Sequence, residues 1–518
     1  MNTAEFLLIT SAIVPDRDAL VGDSGRTSFA GMALRVNSLA NALASQGVGR
    51  GMAVATMSLN SPQFIETYYA VAKLGGVFVP LNYRAKHEEI HYMLTNSEAS
   101  HLFVGPRYVE LVQGLGELPG LRETYLYEGA AEGMTSYEDL IASAPADESF
   151  VEVEDRDPTI LMYTSGTTAM PKGVVLSYHD FTTYVLNTME PASPEEPHNV
   201  TLLSVPLYHI AGATTMASSV FGGRTLVVPP QFEPGNWLDM VERERVTHAF
   251  VVPTMLKRIM EHEKFGKTDL SSLKLVAYGA APMPYEVVRK AVDMFPPNAG
   301  LMNAYGQTES TSSLTFLGPD DHRIEGTDEE KEKKYQRLRS VGQPMPDVAV
   351  VIMDETGNVL GPNAEGEICA MGERIMKGYH KLENETAKAI SDGWLHTGDV
   401  GYMDDEGYLF ITGRIKDLII RGGENIAAGE VEAVIEEHSK VEEAAVIGVK
   451  DVEWGEEVMA IVVLKQGETA SADEIIAFTK ERIASYKAPK TVAFVDALPR
   501  SYVGKVLKNE LRKQHASA

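Results

Sequence analysis

Apolar residues recur along the first 260 positions in two alternating patterns. Short, continuously apolar runs are typical of strands buried in a sheet, and they alternate with segments whose apolar residues repeat at helical spacing. The runs that predict strands are 52–57, 101–104, 201–205, 225–228 and 249–252. The segments that predict helices include 29–46 and 62–74. This alternation predicts a layered α/β fold with largely buried sheets.

Three other segments of this part are easily misinterpreted. The apolar run 6–14 predicts an opening helix rather than a signal peptide, because no basic segment precedes it and Pro15-Asp16-Arg17 follows. Residues 129–157 are acidic and rich in Ala and Ser, and they predict a surface connection. Residues 320–339 are highly charged and predict a solvated helix or loop.

The pattern changes after residue 354. Short strands now flank the turn sequences Asp354–Gly357 and Asp404–Gly407, which predicts hairpins. Beyond Arg414 the order becomes helix, two strands, helix, strand and tail, with the main segments at 428–438, 442–449, 457–464 and 472–483. This order predicts a compact α+β unit of about a hundred residues, an ordinary domain size.

Composition limits the classes of partner. The 518 residues carry a formal charge of −27, from 46 basic and 73 acidic side chains, which argues against nucleic-acid and anionic-membrane binding. No apolar stretch approaches the ~20 residues that span a bilayer. The only cysteine, Cys369, rules out an intrachain disulfide and is expected to be a small buried residue on a strand. With no targeting signal recognised, a cytoplasmic location is expected.

The stretch Tyr163–Gly173, YTSGTTAMPKG, is the most informative chemical motif. It contains four Ser or Thr hydroxyls, two glycines and one lysine within eleven positions. Hydroxyls and glycine N–H groups can converge on an oxyanion, and a lysine supplies a counter-charge. The stretch lacks the GK[ST] ending of a Walker loop, so it predicts a phosphate-binding loop of another kind.

Six further motifs follow in order. They are PLYH from Pro206, YGAAP from Tyr278, NAYGQTE from Asn303, WLHTGD from Trp394, GRIKD from Gly413 and PRSYVGK from Pro499. In kind, order and spacing the set resembles the adenylate-forming (AMP-binding) superfamily, which includes acyl-CoA synthetases, firefly-type luciferases and peptide-synthetase adenylation domains. The resemblance covers the whole chain.

The resemblance implies an architecture and a reaction. It implies a large multi-layer N-terminal domain of sheets and helices, residues 1–413, and a small α+β C-terminal domain, residues 414–518, that rotates about a hinge near 414–416. The implied activity is an acid–CoA ligase that uses ATP, Mg²⁺ and CoA and releases AMP and pyrophosphate. A homodimer is compatible with it.

The resemblance also implies roles for residues at the nucleotide. The phosphate-binding residues would be Thr164, Ser165, Gly166, Thr167, Thr168 and Lys172. The walls of the adenine site would be Gly279, Ala280, Ala281, Asn303, Ala304, Tyr305 and Gly306, with Tyr305 stacked on the base. Thr308 would bind the α-phosphate and Glu309 the Mg²⁺, while Asp399 and Arg414 would hold the ribose.

Other implied roles belong to the two half-reactions. Lys505 would bridge the α-phosphate and the carboxylate during adenylation, and His209 would stand at the mouth of the acyl site. Lys416 would occupy the hinge, and Gly422, Gly423 and Glu424 would line the CoA side. The chain departs from the family at Ala169, where Gly is usual, and at Ala427-Ala428, which puts the CoA contacts in question.

The acid is less well specified than the reaction. The small residues 279–281 and the apolar run 251–255 suggest an apolar acid site. We expect a medium- or long-chain fatty acid, with an aryl or cyclic acid as the alternative. An amide ligase or a luciferase-like oxidase is a further alternative within the superfamily.

One motif points to another class of enzyme. His87–His91, HEEIH, matches the HExxH pattern of zinc peptidases, in which two histidines one helical turn apart bind the metal. No third ligand follows at the expected spacing. The alternative interpretation of this segment is an ordinary surface helix.

Overall fold

The structure is a computed structural model that describes residues 1–164, 170–421, 424–451, 454–500 and 506–515. Helices and strands alternate through the first 317 residues. In chain order they are α1 Ala4–Ile13, β1 Asp18–Gly22, β2 Gly25–Ser28, α2 Phe29–Ser45, β3 Ala53–Met57, α3 Pro62–Lys73, β4 Val77–Pro80, α4 His87–Asn96, β5 His101–Val104, α5 Val109–Gln113, β6 Glu123–Leu126, β7 Thr135–Ser136, α6 Tyr137–Ala142, β8 Pro158–Thr164, β9 Lys172–Ser177, α7 Tyr178–Thr188, β10 Val200–Leu202, α8 Ile210–Phe221, β11 Thr225–Val227, α9 Pro234–Arg243, β12 His248–Val251, α10 Pro253–Met260, β13 Leu275–Gly279, α11 Tyr285–Met294, β14 Gly300–Gln307 and β15 Ser312–Leu317.

The remaining elements begin at Pro319. They are α12 Pro319–His322, α13 Asp328–Arg337, β16 Gln343–Pro344, β17 Val348–Met353, β18 Gly366–Gly372, β19 Gly378–Tyr379, α14 Glu383–Ala389, β20 Ile390–Ser391, β21 Trp394–Met403, β22 Leu409–Arg414, β23 Leu418–Arg421, β24 Glu424–Ala427, α15 Ala428–Glu436, β25 Val441–Asp451, β26 Gly455–Leu464, α16 Ala472–Lys480, β27 Thr491–Phe494 and α17 Lys508–His515. Short 3₁₀ turns lie at Pro106–Tyr108, Phe265–Lys267, Thr308–Ser310 and Ile415–Asp417.

Two large sheets carry the first part of the chain. One has nine strands in the order β16-β15-β14-β13-β12-β10-β11-β1-β2, and the other has eight in the order β19-β9-β8-β4-β3-β5-β6-β7. Helices α2, α3, α7 and α8 contribute to the largest hydrophobic cluster, which also takes side chains from both sheets, such as Leu226 and Phe78. Helix α3 is buried almost all round, as expected of a helix in the core of a large domain.

Two smaller sheets complete the fold. Strands β17, β18, β21, β20 and β22 form one sheet, and β24, β23, β26, β25 and β27 form the other. Helix α15 packs on the last sheet through Val431 and Ile435. These two side chains belong to a hydrophobic cluster that the helix forms with the strands of that sheet. The 3₁₀ turn Ile415–Asp417 connects β22 of the third sheet to β23 of the fourth. The predicted hinge at 414–416 therefore falls between two sheets.

The predicted α/β layers and the small α+β unit are confirmed. The strand predicted at 101–104 has those same bounds, and the helices predicted at 29–46 and 62–74 each end one residue earlier. The turn Asp404–Gly407 joins the antiparallel strands β21 and β22, with Gly407 at φ +81. Helix α13 has no buried residue, as its charged sequence predicts.

One prediction is wrong in part. Residues 129–157 do not form only a surface connection, because they contain β7 and α6. Tyr137 is fully buried there, and its hydroxyl donates to Glu66 at 2.7 Å. Tyr137 and Leu140 lie three residues apart, so one face of this short helix is apolar within an otherwise polar stretch.

Candidate active site

A cleft of about 520 Å³ is lined by ten of the sixteen predicted site residues that the structure describes. Its walls come from the two large sheets, the third sheet and the 3₁₀ turn before β23. The predicted site residues that line it are Thr164, Lys172, His209, Ala280, Ala304, Gly306, Thr308, Glu309, Arg414 and Lys416. Residues more than 250 positions apart in sequence therefore meet at one site.

The phosphate-loop motif lies at the tip of a hairpin. Strands β8 and β9 are antiparallel, with Thr164 opposite Lys172. The Lys172 ammonium lies 2.5 Å from the Glu385 carboxylate and 5.0 Å from the centre of the Tyr379 ring. Ser165, Gly166, Thr167 and Thr168 lie outside the described residues. The described ends of the loop nevertheless place its lysine in the cleft.

Thr308 and Glu309 occupy a strained turn. The 3₁₀ turn Thr308–Ser310 is followed by Thr311 at φ +49 and Ser312 at φ +81, two consecutive left-handed residues that are not glycine. Such conformations cost energy and persist only where surrounding contacts hold them. The Glu309 carboxylate accepts a hydrogen bond from the Tyr379 hydroxyl at 2.9 Å. Burial and this carboxylate raise the pKa of Tyr379, which keeps the phenol protonated as a donor.

A buried arginine holds that turn. Arg374 is fully buried; its Nε lies 2.5 Å from the Asp347 carboxylate and its Nη1 donates to the Ser310 carbonyl at 2.8 Å. The Thr311 hydroxyl donates back to the Arg374 carbonyl at 2.7 Å, and Met376 N donates to the Glu309 carbonyl at 2.8 Å. The segment 374–376 therefore fixes the turn through three hydrogen bonds.

Asp399 and Arg414 face each other across one hairpin. They are directly opposite on β21 and β22, and the Arg414 Nε lies 2.5 Å from Asp399 Oδ1. The Tyr305 hydroxyl donates to Asp399 Oδ2 at 2.8 Å. Tyr305, predicted to stack on adenine, is thus tied to the predicted ribose carboxylate. Burial and Asp399 raise its pKa, so the phenol stays protonated.

The predicted adenine wall is built by close backbone contact. A Cβ at Gly279 would lie 2.1 Å from the Ala304 carbonyl, so only glycine fits between β13 and β14. Ala280, which follows, adopts a left-handed backbone at φ +66. Asn303 is buried, and its amide donates to the Ser340 carbonyl at 3.5 Å.

A second hydrogen-bonded group supports the strand before Asp399. The Glu367 carboxylate pairs with His396 Nδ1 at 2.7 Å and accepts from Gly398 N at 3.1 Å. Cys369 is buried on β18, as predicted, and its sulfur lies 3.5 Å from His396 Nδ1. Burial and the nearby Glu367 raise the pKa of the Cys369 thiol to about 12, so it is not a thiolate nucleophile near neutral pH.

His209 both stabilises the start of a helix and lines the cleft. It caps α8, where its Nδ1 accepts from Ala211 N at 3.3 Å, and it lines the cleft. Two aromatic residues, the preceding Tyr208 and Phe250 of β12, also line the cleft. The predicted acid-site run 251–255 does not contribute to the lining, whereas the preceding Phe250 does.

Lys416 faces the same cleft from the turn after β22. Burial, with Arg414 nearby, lowers the pKa of its ammonium group. On the predicted CoA side, the Arg421 guanidinium pairs with Glu457 at 2.7 Å and lies 4.6 Å from the centre of the Trp454 ring, while Glu424 is exposed at the start of β24. Gly422, Gly423 and Lys505 lie outside the described residues.

The HEEIH segment forms the N-terminal part of α4. The His87 ring pairs with the Gly114 carbonyl at 2.9 Å and the His91 ring with the Glu117 carbonyl at 3.3 Å. Among the described residues, the one group of three or more potential metal ligands is Glu367, Cys369 and His396, which includes neither histidine. The segment is thus accounted for as a surface helix, and the zinc-peptidase alternative finds no support.

Sequence reasoning missed several residues that line or brace the cleft. They are Asn82, Phe250, Glu367, Tyr379, Glu385, Lys388 and His396, with Arg374 behind them. His396 lies within the motif WLHTGD, where it could have been noticed. Glu385 pairs with Lys172 across 213 positions, and no local pattern predicts that contact.

Among the described residues, no helix has both the length and the apolar character needed to cross a bilayer.

Known proteins are similar to this chain in sequence and in fold. A family model described as "AMP-binding enzyme" matches residues 10–380, and one described as "AMP-binding enzyme C-terminal domain" matches residues 430–505. The indoleacetate–CoA ligase of Aromatoleum aromaticum is 32% identical over 515 residues, covering 99% of this chain and 98% of that protein. The long-chain-fatty-acid–CoA ligase FadD13 of Mycobacterium tuberculosis is 32% identical over 495 residues, covering 95% and 94%. The crystal structure of ATP-bound MatB from Rhodopseudomonas palustris aligns with a TM-score of 0.88 at 29% identity, over 100% of this chain and 99% of that chain.

Proposed function

The chain belongs to the AMP-binding enzyme family, and on that premise we propose that it is an ATP-dependent carboxylic acid–CoA ligase working through an acyl-adenylate. The observation that carries the proposal is the meeting, in one cleft, of the phosphate-loop lysine, the Thr308–Glu309 turn and the Arg414 side chain that holds Asp399. These groups suit, in that order, the phosphates, the α-phosphate with its metal, and the ribose.

Two steps complete the reaction. First, a carboxylate oxygen bonds to the α-phosphorus of ATP while the bond from that phosphorus to the bridging oxygen of the β-phosphate breaks, and pyrophosphate leaves. Second, the CoA sulfur bonds to the acyl carbon, the carbon–oxygen bond to AMP breaks, and the thiol proton is released. In both steps the protein mainly aligns reacting atoms and neutralises charge.

We assign the described residues to these tasks by their positions. Lys172 and Thr164 would hold the outer phosphates, Thr308 the α-phosphate, and Asp399 the ribose hydroxyls. His209, which follows Tyr208 in sequence and lines the cleft, would stand where the carboxylate enters. The Tyr379 hydroxyl orients the Glu309 carboxylate. Gly279 and Ala280 would form the base wall, with Tyr305 behind it.

A magnesium ion fits this donor set. A single carboxylate beside a phosphate site suits Mg²⁺, which keeps several waters and binds phosphate oxygens. When bound, the ion would neutralise negative charge on the phosphates. Glu309 would hold it, and the Tyr379 bond would fix the carboxylate in place.

For the acid, we propose a compact aryl or cyclic carboxylate, with a medium- or long-chain fatty acid as the second candidate. The cleft of about 520 Å³ serves nucleotide and acid together, and it falls within the range for one drug-sized ligand. Two aromatic side chains, Tyr208 and Phe250, line the cleft, as His209 does. The fatty-acid candidate is supported by the similarity to FadD13, which has the same 32% sequence identity to this chain as the indoleacetate enzyme.

The deciding experiment is ATP–pyrophosphate exchange over a panel of aryl, cyclic and fatty acids, followed by CoA consumption. Exchange with aryl acids and matching acyl-CoA formation is expected. Exchange without acyl-CoA formation, but with amide formation when amines are added, would replace the ligase with the amide-forming alternative. Exchange with fatty acids alone would reject the aryl assignment.

Lys505 can be assigned by separating the half-reactions. We expect Lys505→Ala to lose ATP–pyrophosphate exchange while still converting a supplied acyl-adenylate and CoA to the thioester. Lys513→Ala is the matched control, a lysine of α17 that is expected to leave both steps unchanged. Equal loss of both steps in Lys505→Ala would contradict the assignment of Lys505 to adenylation alone.

A further inference from the structure

The Lys172 ammonium, proposed above to hold the phosphates of ATP, already has an anionic partner. It lies 2.5 Å from Glu385 Oε2, and both side chains are partly shielded, with 16% and 29% of their surfaces exposed. The other carboxylate oxygen lies 2.9 Å from Lys388. All three side chains line the cleft.

The position of Glu385 is fixed by its helix. The Thr386 hydroxyl accepts a hydrogen bond from Tyr379 N at 2.9 Å, and it donates to the Leu382 carbonyl at 3.0 Å. Tyr379 in turn holds Glu309. Helix α14 is therefore tied to the same tyrosine that orients the predicted metal ligand, so the carboxylate is held at the phosphate end of the cleft.

From this contact we infer that Glu385 competes with the phosphates of ATP and pyrophosphate for Lys172. The inference rests on the proposed function, because it requires that Lys172 bind phosphate. A lysine paired with a carboxylate must give up that partner before it can bind a phosphate oxygen, so part of the binding free energy of the phosphate is spent on breaking the ion pair. Glu385 thus weakens the binding of ATP, and its ion pair with Lys172 forms again when pyrophosphate leaves. It is a positioning residue, acting through Lys172.

The competition makes a directional prediction. Glu385→Gln keeps the size and polarity of the side chain but removes its charge. We expect it to lower the Kd for ATP and the inhibition constant for pyrophosphate by about fivefold each, which corresponds to the upper end of the strength of a partly exposed ion pair. The KM values for the acid and CoA are expected to stay unchanged, whereas a general structural effect would change them as well.

The controls isolate the contact. Glu383→Gln removes the same charge from an exposed position on the same helix and is expected to change neither constant. In a Lys172→Met background, Glu385→Gln is expected to have no further effect on pyrophosphate binding. ATP binding is measured by calorimetry without acid or CoA, so the result does not depend on turnover.

The outcomes separate this inference from the proposed function. Unchanged or weaker ATP binding in Glu385→Gln would overturn the competition. Weaker binding would mean that Glu385 instead positions Lys172 for ATP. A persisting Glu385→Gln effect in the Lys172→Met background would also overturn it. Absence of ATP binding by the unaltered protein would instead defeat the proposed function.

Discussion

The fully buried Arg374 gives the sharpest test of how the site is held together. Replacing it by Met keeps an unbranched chain but removes the charge that faces Asp347, whose side chain is only 11% exposed. The Ser310 carbonyl also loses its donor. Removing one member of a buried ion pair costs about 3–5 kcal/mol, because the other charge stays buried without compensation.

The size of the effect can be converted to a melting temperature. The entropy of unfolding is about 2.1 cal/mol/K per residue, so the free energy of unfolding of a cooperative unit of roughly 400 residues changes by about 0.8 kcal/mol per degree near the melting temperature. A loss of about 3–5 kcal/mol then lowers the melting temperature by about 4–6 °C. The assay is differential scanning calorimetry of Arg374→Met beside Arg243→Met, a control at an arginine whose side chain is 58% exposed.

Function should respond as well. Because Arg374 fixes the strained turn after Glu309, its loss should raise the Kd for ATP by about tenfold, equivalent to ~1.4 kcal/mol, even well below the melting temperature. Adding Asp347→Asn to Arg374→Met should restore part of the stability, because the uncompensated charge is gone. A melting temperature within 1 °C of the unaltered protein, or a double variant no better than the single one, would refute the reasoning.

Three other predictions follow from the described contacts. Tyr379→Phe removes the donor to Glu309 and should raise the Mg²⁺ concentration needed for half-maximal ATP–pyrophosphate exchange severalfold while leaving the melting temperature within about 1 °C; an unchanged Mg²⁺ requirement would contradict the role of that bond. Asp399→Asn should weaken ATP binding about tenfold with little change in pyrophosphate inhibition, since the ribose contact is lost and the phosphate contacts remain; equal weakening of both would argue against a ribose role. Burial, with repulsion from Glu432 and Glu443, raises the pKa of Glu436 to about 7, although Ala444 N donates a hydrogen bond to its carboxylate and Arg500 lies near. The folded protein therefore keeps a proton that the unfolded chain releases above about pH 4.3, so calorimetry should show this part of the chain losing stability as the pH rises from about 4.5 to 7. The loss should be smaller in Glu436→Gln, and an unchanged dependence of stability on pH in that variant would refute the assignment.

The fold could be predicted to a useful level because burial leaves a periodic record in the sequence. Helix α2 and strand β5 were found within one residue of their bounds. The helix that begins at Tyr137 was missed because its two buried residues lie in an acidic, Ala- and Ser-rich stretch, where composition outweighs a single aromatic. Local pattern alone cannot resolve such short, half-buried elements.

The site could be predicted only as far as motifs reach. Motifs identified Lys172, Thr308, Glu309 and Arg414, which line the cleft. Glu385 was missed because its partner lies 213 positions away and tertiary contacts leave no local signal. Arg374 was missed because arginine is ordinarily a surface residue, and its full burial depends on Asp347 and the Ser310 carbonyl, which the sequence does not bring together.

The hairpin that carries Asp399 and Arg414 also bears on how the two parts of the chain can be recombined. The two residues are opposite each other, and the 3₁₀ turn Ile415–Asp417 begins immediately after Arg414. The proposed ribose contact is thus completed before the chain leaves the third sheet. A chimera joined after Asp417 should retain the nucleotide and acid preferences of its first parent and acquire the acceptor preference of its second. Exchanging tails at this junction offers a way to change the acceptor while the ribose contact and the walls of the cleft stay those of the first parent.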